Sequence, residues 1–335
     1  MTDMKTVIAG AEGAALERAR ELIKAGEVVA FHTETVYGLG ANAFSDEAVQ
    51  KIFSLKGRPA DNPLIVHVHS DYDISSLIDS EPPYAEALRK AFLPGPLTMV
   101  YPSTGKVSKY VSCGLNTLAV RVPSSPAAQT FLREVNLPIA APSANLSKHV
   151  SPVTAGHVFD DFNGRIPLIL DGGDCVGGIE STVLDCTGGA PVILREGLVT
   201  REQIASIAGE CGVYMPQKNE KPKSPGMAYR HYSPRCKTAY CRTAEEAAAL
   251  YKEEKERGGN PCILCETQYV LTFEGCNVLD LGKTGEQMAQ RLYALLRRAE
   301  AQYTLLIGIE PKERGGVMAG VMNRFTRALR GSDEA

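Results

Sequence analysis

Apolar positions along the chain switch between two periods. From Ala11 to Ala25 they recur at helical spacing and stop at Gly26. Glu27–Phe31 then reads as a strand. A second helix runs from Asp46 to Leu55, with Ala48, Ile52 and Leu55 on one face. Leu64–Val68 is a strand, and Tyr84–Phe92 a helix stopped by Pro94-Gly95-Pro96. Further strands are expected at Leu97–Tyr101, Thr117–Val122, Ile139–Ala141, Leu168–Leu170, Thr182–Leu184 and Val192–Leu194. This irregular alternation predicts an α/β domain, residues 1–208, with a large twisted mixed sheet.

The pattern changes near Gly209. Residues 216–237 hold four Pro and six Lys or Arg against one acid, which predicts a semi-rigid linker over about 209–237. Within it, Ser224 to Pro234 carries two Tyr, an Arg and a His between prolines. That composition is unusual for a plain tether, so a functional segment and a solvated spacer both stand. A smaller Rossmann-like α/β domain is expected over 238–335. Its strands are Ala239–Arg242, Ile263–Cys265, Val278–Leu281 and Thr304–Ile309. Its helices are Thr243–Arg257, with Thr243 and Glu246 at capping-box spacing, Gly285–Ala301 and Val317–Leu329.

Composition narrows the class. Apolar residues make up 44% and charged residues 22% of 335, ordinary values for a globular chain of about two domains. The net charge of −3 argues against a surface that is basic throughout. Nine irregularly spaced Cys and no visible leader favour reduced thiols and a cytoplasmic chain. No apolar run approaches the roughly 20 residues that span a bilayer. Cys262 and Cys265 form the only close Cys pair, inside a buried-strand pattern, without a second pair at zinc spacing.

Four blocks carry the candidate chemistry: Thr33–Gly40, Lys56–Pro59, Pro142–Asn145 and Glu180–Val183. Each offers hydroxyls, cations or Gly- and Pro-freed backbone, yet none is a Walker loop or a dinucleotide fingerprint. On an extended segment Lys56 and Arg58 would point the same way, about 7 Å apart, and hold an anion between them; solvated surface cations are the alternative. Ser143 and Asn145 follow an apolar strand on a turn that can serve phosphate or ribose, or merely cap itself. Gly38 and Gly40 would let backbone approach a ligand closely, and Tyr37 could lie on a small substrate. Arg121, alone in the apolar run Leu118–Pro123, wants a buried anion, either a ligand carboxylate or an internal acid. His67 reads as a core histidine bonded to backbone.

Together these blocks resemble the YrdC-like family. The resemblance rests on Thr-Glu-Thr-Val-Tyr-Gly-Leu-Gly, Lys-x-Arg-Pro, Pro-Gly-Pro-Leu-Thr, Arg-Val-Pro, Pro-Ser-Ala-Asn-x-Ser, Glu-Ser-Thr-Val and Leu-Arg-Glu-Gly over residues 27 to about 208. The Ser-Pro-Gly-Met-x-Tyr-Arg-His-Tyr-Ser-Pro linker and the extra domain resemble its two-domain form, the L-threonylcarbamoyladenylate synthases. The resemblance implies that L-threonine, bicarbonate and ATP, with Mg²⁺, give threonylcarbamoyl-AMP and pyrophosphate. The product would pass to a tRNA threonylcarbamoyl transferase complex acting on adenosine 37, with no membrane and no stable tRNA binding by this chain. Lys56 and Arg58 would meet the phosphates as the catalytic cations. Pro142, Ser143, Asn145, Ser151, Arg195, His231 and Tyr232 would bind nucleotide. Thr33, Tyr37, His67, Arg121 and Ser181 would line the threonine pocket, with no protein metal ligands. The 229–232 stretch would close as a lid. Departures are His32 where Pro usually stands, Leu93 for Trp, and Lys148 for Gly. The competing classes are an RNA- or ribosome-binding module and a carbamoyl transferase. The acidic balance weighs against the first, and missing zinc-finger and acylphosphatase segments against the second.

Overall fold

The computed structural model describes residues 4–215 and 232–330, which divide into two compact units. Residues 4–147 and 152–215 form the first, and residues 148–151 and 232–330 the second.

The first unit is built on strands β1 (Val7–Gly10), β2 (Val29–Phe31), β3 (Gly38–Asn42), β4 (Ile65–His67), β5 (Leu97–Pro102), β6 (Thr117–Arg121), β7 (Ile139–Ala141), β8 (Leu168–Asp171), β9 (Thr182–Asp185), β10 (Val192–Arg195) and β11 (Gly212–Val213). They form one 11-stranded mixed sheet in the order β1-β8-β2-β3-β7-β4-β6-β5-β9-β10-β11. Its helices are α1 (Gly13–Lys24), α2 (Asp46–Lys56), α3 (Pro83–Phe92), α4 (Lys109–Ser112), α5 (Pro126–Val135), α6 (Ala155–Phe162) and α7 (Arg201–Ala208). Leu16, Ala19 and Ile23 of α1 and Phe131, Leu132 and Val135 of α5 pack with Val29, Phe31, Leu168 and Leu170 of the sheet in one dry core. Fully burying side chains of this size contributes roughly 1.5–3 kcal/mol each.

Two expectations about local structure are corrected. The glycines expected to give a ligand room lie in a strand, since Gly38 opens β3, paired antiparallel with β2. Their missing Cβ atoms make room for a core ring. A Cβ on Gly40 would lie 2.7 Å from Ile139 Cγ2 and 2.9 Å from Phe31 Cε1; one on Gly38 would lie 2.9 Å from Phe31 Cε1. Lys56 and Arg58 do not share an extended segment. Lys56 ends α2, and Gly57 caps it in the left-handed region at φ 61°. Overpacking of this kind costs about 1–3 kcal/mol, so Gly40→Ala is expected to lower the unfolding midpoint in denaturant with an unchanged slope.

The second unit carries β12 (Lys237–Cys241), β13 (Pro261–Cys265), β14 (Val278–Asp280) and β15 (Leu305–Ile309), all parallel in the order β12-β15-β13-β14. Its helices are α8 (Ala244–Glu256), α9 (Gly285–Gln302) and α10 (Val317–Arg330). The capping box forms as its spacing predicts: the Thr243 hydroxyl accepts from Glu246 N, while the Glu246 carboxylate accepts from Thr243 N. Every residue of β13 is buried, and burial pushes the Cys262 and Cys265 thiols up to about 12. Neither is a thiolate near neutrality. Lys148 takes the left-handed region at φ 74°, which accounts for glycine suiting that position. Tyr232 stacks on Tyr293 with ring centroids 5.4 Å apart. His231, and with it residues 229–231 of the expected lid, lies outside the described residues.

Candidate functional site

The blocks meet in the first unit, through backbone as much as through side chains. The Pro142–Asn145 turn hangs on the Tyr37–Leu39 segment: Leu39 N donates to Pro142 O at 2.9 Å, and Ala144 N to Tyr37 O at 2.8 Å. Ser143 Oγ donates to Asn145 Oδ1 at 2.6 Å, pinning the turn from within. The end of α2 then delivers Lys56 beneath it. Lys56 Nζ donates to Ser143 O at 2.6 Å and also to Asn145 O, and only 3% of Lys56 is exposed. A buried ammonium held by two carbonyls is a fixed positive charge with defined direction.

Arg58 goes elsewhere. Its guanidinium donates to Asn62 O at 3.1 and 3.2 Å and to Pro63 O at 3.1 Å, and so braces the loop that leads into β4.

The second cluster centres on Arg121, at the end of β6 opposite His67 of β4. Arg121 Nη2 lies 2.8 Å from Glu34 Oε1, both side chains being nearly inaccessible. The sequence left Arg121 between a ligand carboxylate and an internal acid; the structure sets the internal acid Glu34 against it. Neither Glu34 oxygen has an aligned hydrogen-bond donor, and Arg121 Nη2 has no aligned acceptor, so the contact is a charge pair. Burial pushes the Glu34 carboxyl up, but the Arg121 guanidinium outweighs that and holds it below its usual range. Glu34 is positioned by backbone, since Gly177 N donates to Glu34 O at 2.7 Å. The Thr33 hydroxyl donates to Val36 O at 2.6 Å and shapes the same turn. Glu34 is the buried charged residue of this cluster that sequence reasoning passed over. Its signal was an acid between two threonines in a block otherwise free of charge.

His67 is the core histidine expected, its Nδ1 donating to Ile65 O at 3.2 Å. Burial, then the Arg121 charge, pushes it down to about 3 from 6.5. The unfolded chain therefore takes up this proton at higher pH than the folded one. The stability that neutral His67 contributes is complete above about 6.5 and is lost as pH falls toward 3. Its ring proton shifts are expected to stay flat from pH 8 to pH 5, and His67→Gln should flatten the acid limb of the stability curve.

The Tyr37 hydroxyl is engaged with Asp171 Oδ1 at 2.9 Å and Gly173 O at 2.8 Å, and burial pushes it far above its ordinary value. His32, edge-on to the Tyr37 ring, shares a 2.7 Å hydrogen bond with Ser125 Oγ, and burial pushes its pKa down. Ser181 is held by Thr98 Oγ1 at 2.8 Å, and Arg195 Nη2 donates to its carbonyl at 3.0 Å and its hydroxyl at 3.2 Å. Ser151 is buried and Tyr232 nearly so, both within the second unit.

Residues 21–197 match the protein family described as "Telomere recombination", and residues 199–329 match "Threonylcarbamoyl-AMP synthase, C-terminal domain". The chain is 42% identical over 322 residues to the threonylcarbamoyl-AMP synthase of Bacillus subtilis, covering 94% of this chain and 93% of that one. It is 41% identical over 317 residues to that of Pyrococcus abyssi, covering 91% of each. The crystal structure of P. abyssi Sua5 complexed with L-threonine superposes with a TM-score of 0.89 at 38% identity, covering 97% of this chain and 96% of that one.

Proposed function

The chain belongs to the threonylcarbamoyl-AMP synthase family, and on that premise we propose that it joins L-threonine, bicarbonate and ATP into threonylcarbamoyl-AMP and pyrophosphate. Threonine's amine and bicarbonate condense to a carbamate with loss of water. A carbamate oxygen attacks the α-phosphorus, the α–β bridging bond breaks, and pyrophosphate leaves with the electron pair. Such a displacement needs no covalent nucleophile on the protein; it needs charge held in position.

The observation that carries this reading is the Lys56 ammonium, buried and fixed on the Ser143–Asn145 turn. That site suits the triphosphate, with Arg58 as a second cation. Pro142, Ser143, Asn145, Ser151, Arg195, His231 and Tyr232 are the proposed nucleotide residues. Thr33, Tyr37, His67, Arg121 and Ser181 are the proposed threonine residues, with Arg121 on the carboxylate. Among the described residues no group of three His, Cys, Asp or Glu could hold a metal ion. Mg²⁺ is proposed to enter with the nucleotide, where it would share the phosphate charge with Lys56.

The mixed anhydride would serve a transferase that carries the threonylcarbamoyl group to adenosine 37 of tRNA, in the cytoplasm. No described helix is long and apolar enough to cross a membrane, and the net charge of −3 does not favour stable tRNA binding. Pyrophosphate release from ATP is expected to require threonine and bicarbonate together. Equal release with threonine omitted, or ADP as product, overturns the reading.

A further inference from the structure

We infer that Glu34 is a substrate-binding residue: with Arg121 it forms a paired anchor for the zwitterion of the amino acid, the α-ammonium on Glu34 and the α-carboxylate on Arg121. The inference rests on the proposed placement of the threonine carboxylate on Arg121.

The geometry of the pair points this way. Both side chains are buried, with Glu34 7% and Arg121 3% exposed, and their charged atoms lie 2.8 Å apart. A pair built only for stability would have its remaining polar atoms satisfied by neighbouring donors and acceptors. Here the backbone amides of Glu34 and Ser124 act on the carboxylate, but neither of its oxygens has an aligned donor and Arg121 Nη2 has no aligned acceptor, so both partners keep capacity for a ligand. An α-ammonium offers three donors and an α-carboxylate two acceptor oxygens, matching that capacity in kind.

Charge balance makes the same demand. The pair is neutral as it stands, and a zwitterion leaves it neutral. A ligand bearing only the carboxylate would leave a net negative charge in a buried site, and one bearing only the ammonium a net positive charge. Each is penalised where water is excluded. Without Glu34, the buried guanidinium would prefer simple anions to amino acids. His67, facing the pair from β4, adds no charge in its neutral state. Once the amine has become a carbamate, its attraction to Glu34 is lost. Glu34 therefore acts on binding more than on the chemical step, with KM affected more than kcat.

The test is calorimetric titration of the full chain in degassed buffer with L-threonine, (R)-3-hydroxybutyrate, which lacks the amine, and L-threoninol, which lacks the carboxylate. Wild type should bind both analogues at least ~10-fold more weakly than threonine, the loss of one charge-assisted contact. Glu34→Gln should weaken threonine by ~10-fold or more, hold or tighten 3-hydroxybutyrate, and raise KM for threonine with a smaller change in kcat. Glu34→Asp should recover part of the threonine affinity. Unchanged or tighter threonine binding by Glu34→Gln overturns the inference and makes Glu34 a mere counter-ion. Should Glu34→Gln not fold, 3-hydroxybutyrate binding to wild type as tightly as threonine overturns it independently. Retained threonine affinity in Arg121→Leu marks failure of the underlying placement; its loss there, with threonine intact in Glu34→Gln, sinks this inference alone.

Discussion

Arg121→Leu is expected to cost about 3–5 kcal/mol of folding stability and to abolish threonine binding. The stability loss follows from what is left behind. Glu34 is 7% exposed and its charge partner is Arg121, so removing the guanidinium strands a buried carboxylate. In the Arg121→Leu variant the Glu34 pKa should move upward, because burial then loses its main opponent, the Arg121 charge. Stability should accordingly recover as pH is lowered. Adding Glu34→Gln to Arg121→Leu should restore most of the lost stability, since the buried charge is gone, while threonine binding stays absent. Urea unfolding of the four members of the double-mutant cycle measures the coupling directly. Additive losses would show that the two charges do not interact.

Lys56→Ala should reduce turnover by about 10²–10³-fold, the effect of removing one positioned charge worth roughly 3–4 kcal/mol. The ammonium also holds the Ser143 and Asn145 carbonyls, so the turn itself should loosen. Faster amide exchange is expected around Ser147, whose N donates to Lys56 O at 2.9 Å. Lys56→Met keeps the apolar stem and should rescue part of the stability without the rate. Near wild-type turnover in both variants would reduce Lys56 to a structural brace. Arg58→Ala should also slow turnover, and its carbonyl contacts at Asn62 and Pro63 predict a local loosening of that loop.

Element type was largely legible in the sequence, because β-branched runs and amphipathic helices carry their own period. Ile139–Ala141 and the start of α2 at Asp46 fall where the pattern puts them. The order of the first sheet was not legible. Its strands span two to six residues and their neighbours are mostly not consecutive in sequence, so packing across the whole unit decides the pairing. β3 escaped notice because Gly38 and Gly40 suggested room for a ligand, whereas they are two places where Phe31 lies against the strand. The Lys56–Arg58 spacing misled for a related reason. Pro59 suggested extension, but Gly57 could close a helix at positive φ.

At the site, residue types were legible and pairings were not. Ser143, Asn145 and Lys56 each looked ambiguous alone, and they converge only because β3 and β7 pair antiparallel and α2 ends beneath the turn. Arg121 announced that it needed an anion. Which anion depended on a turn 87 positions earlier, shaped by the Thr33 hydroxyl and the Gly177 amide. A hydrogen bond between distant backbones leaves no periodic trace in the sequence.

The central claim is that this chain makes a carbon–nitrogen bond to threonine and a mixed anhydride to AMP. The most direct measurement is mass spectrometry after mixing the protein with ATP, Mg²⁺, L-threonine and ¹³C-bicarbonate. The account predicts threonylcarbamoyl-AMP carrying one ¹³C, formed together with pyrophosphate and absent when any substrate is left out. AMP or ADP accumulating with threonine unmodified and no label incorporated would contradict it.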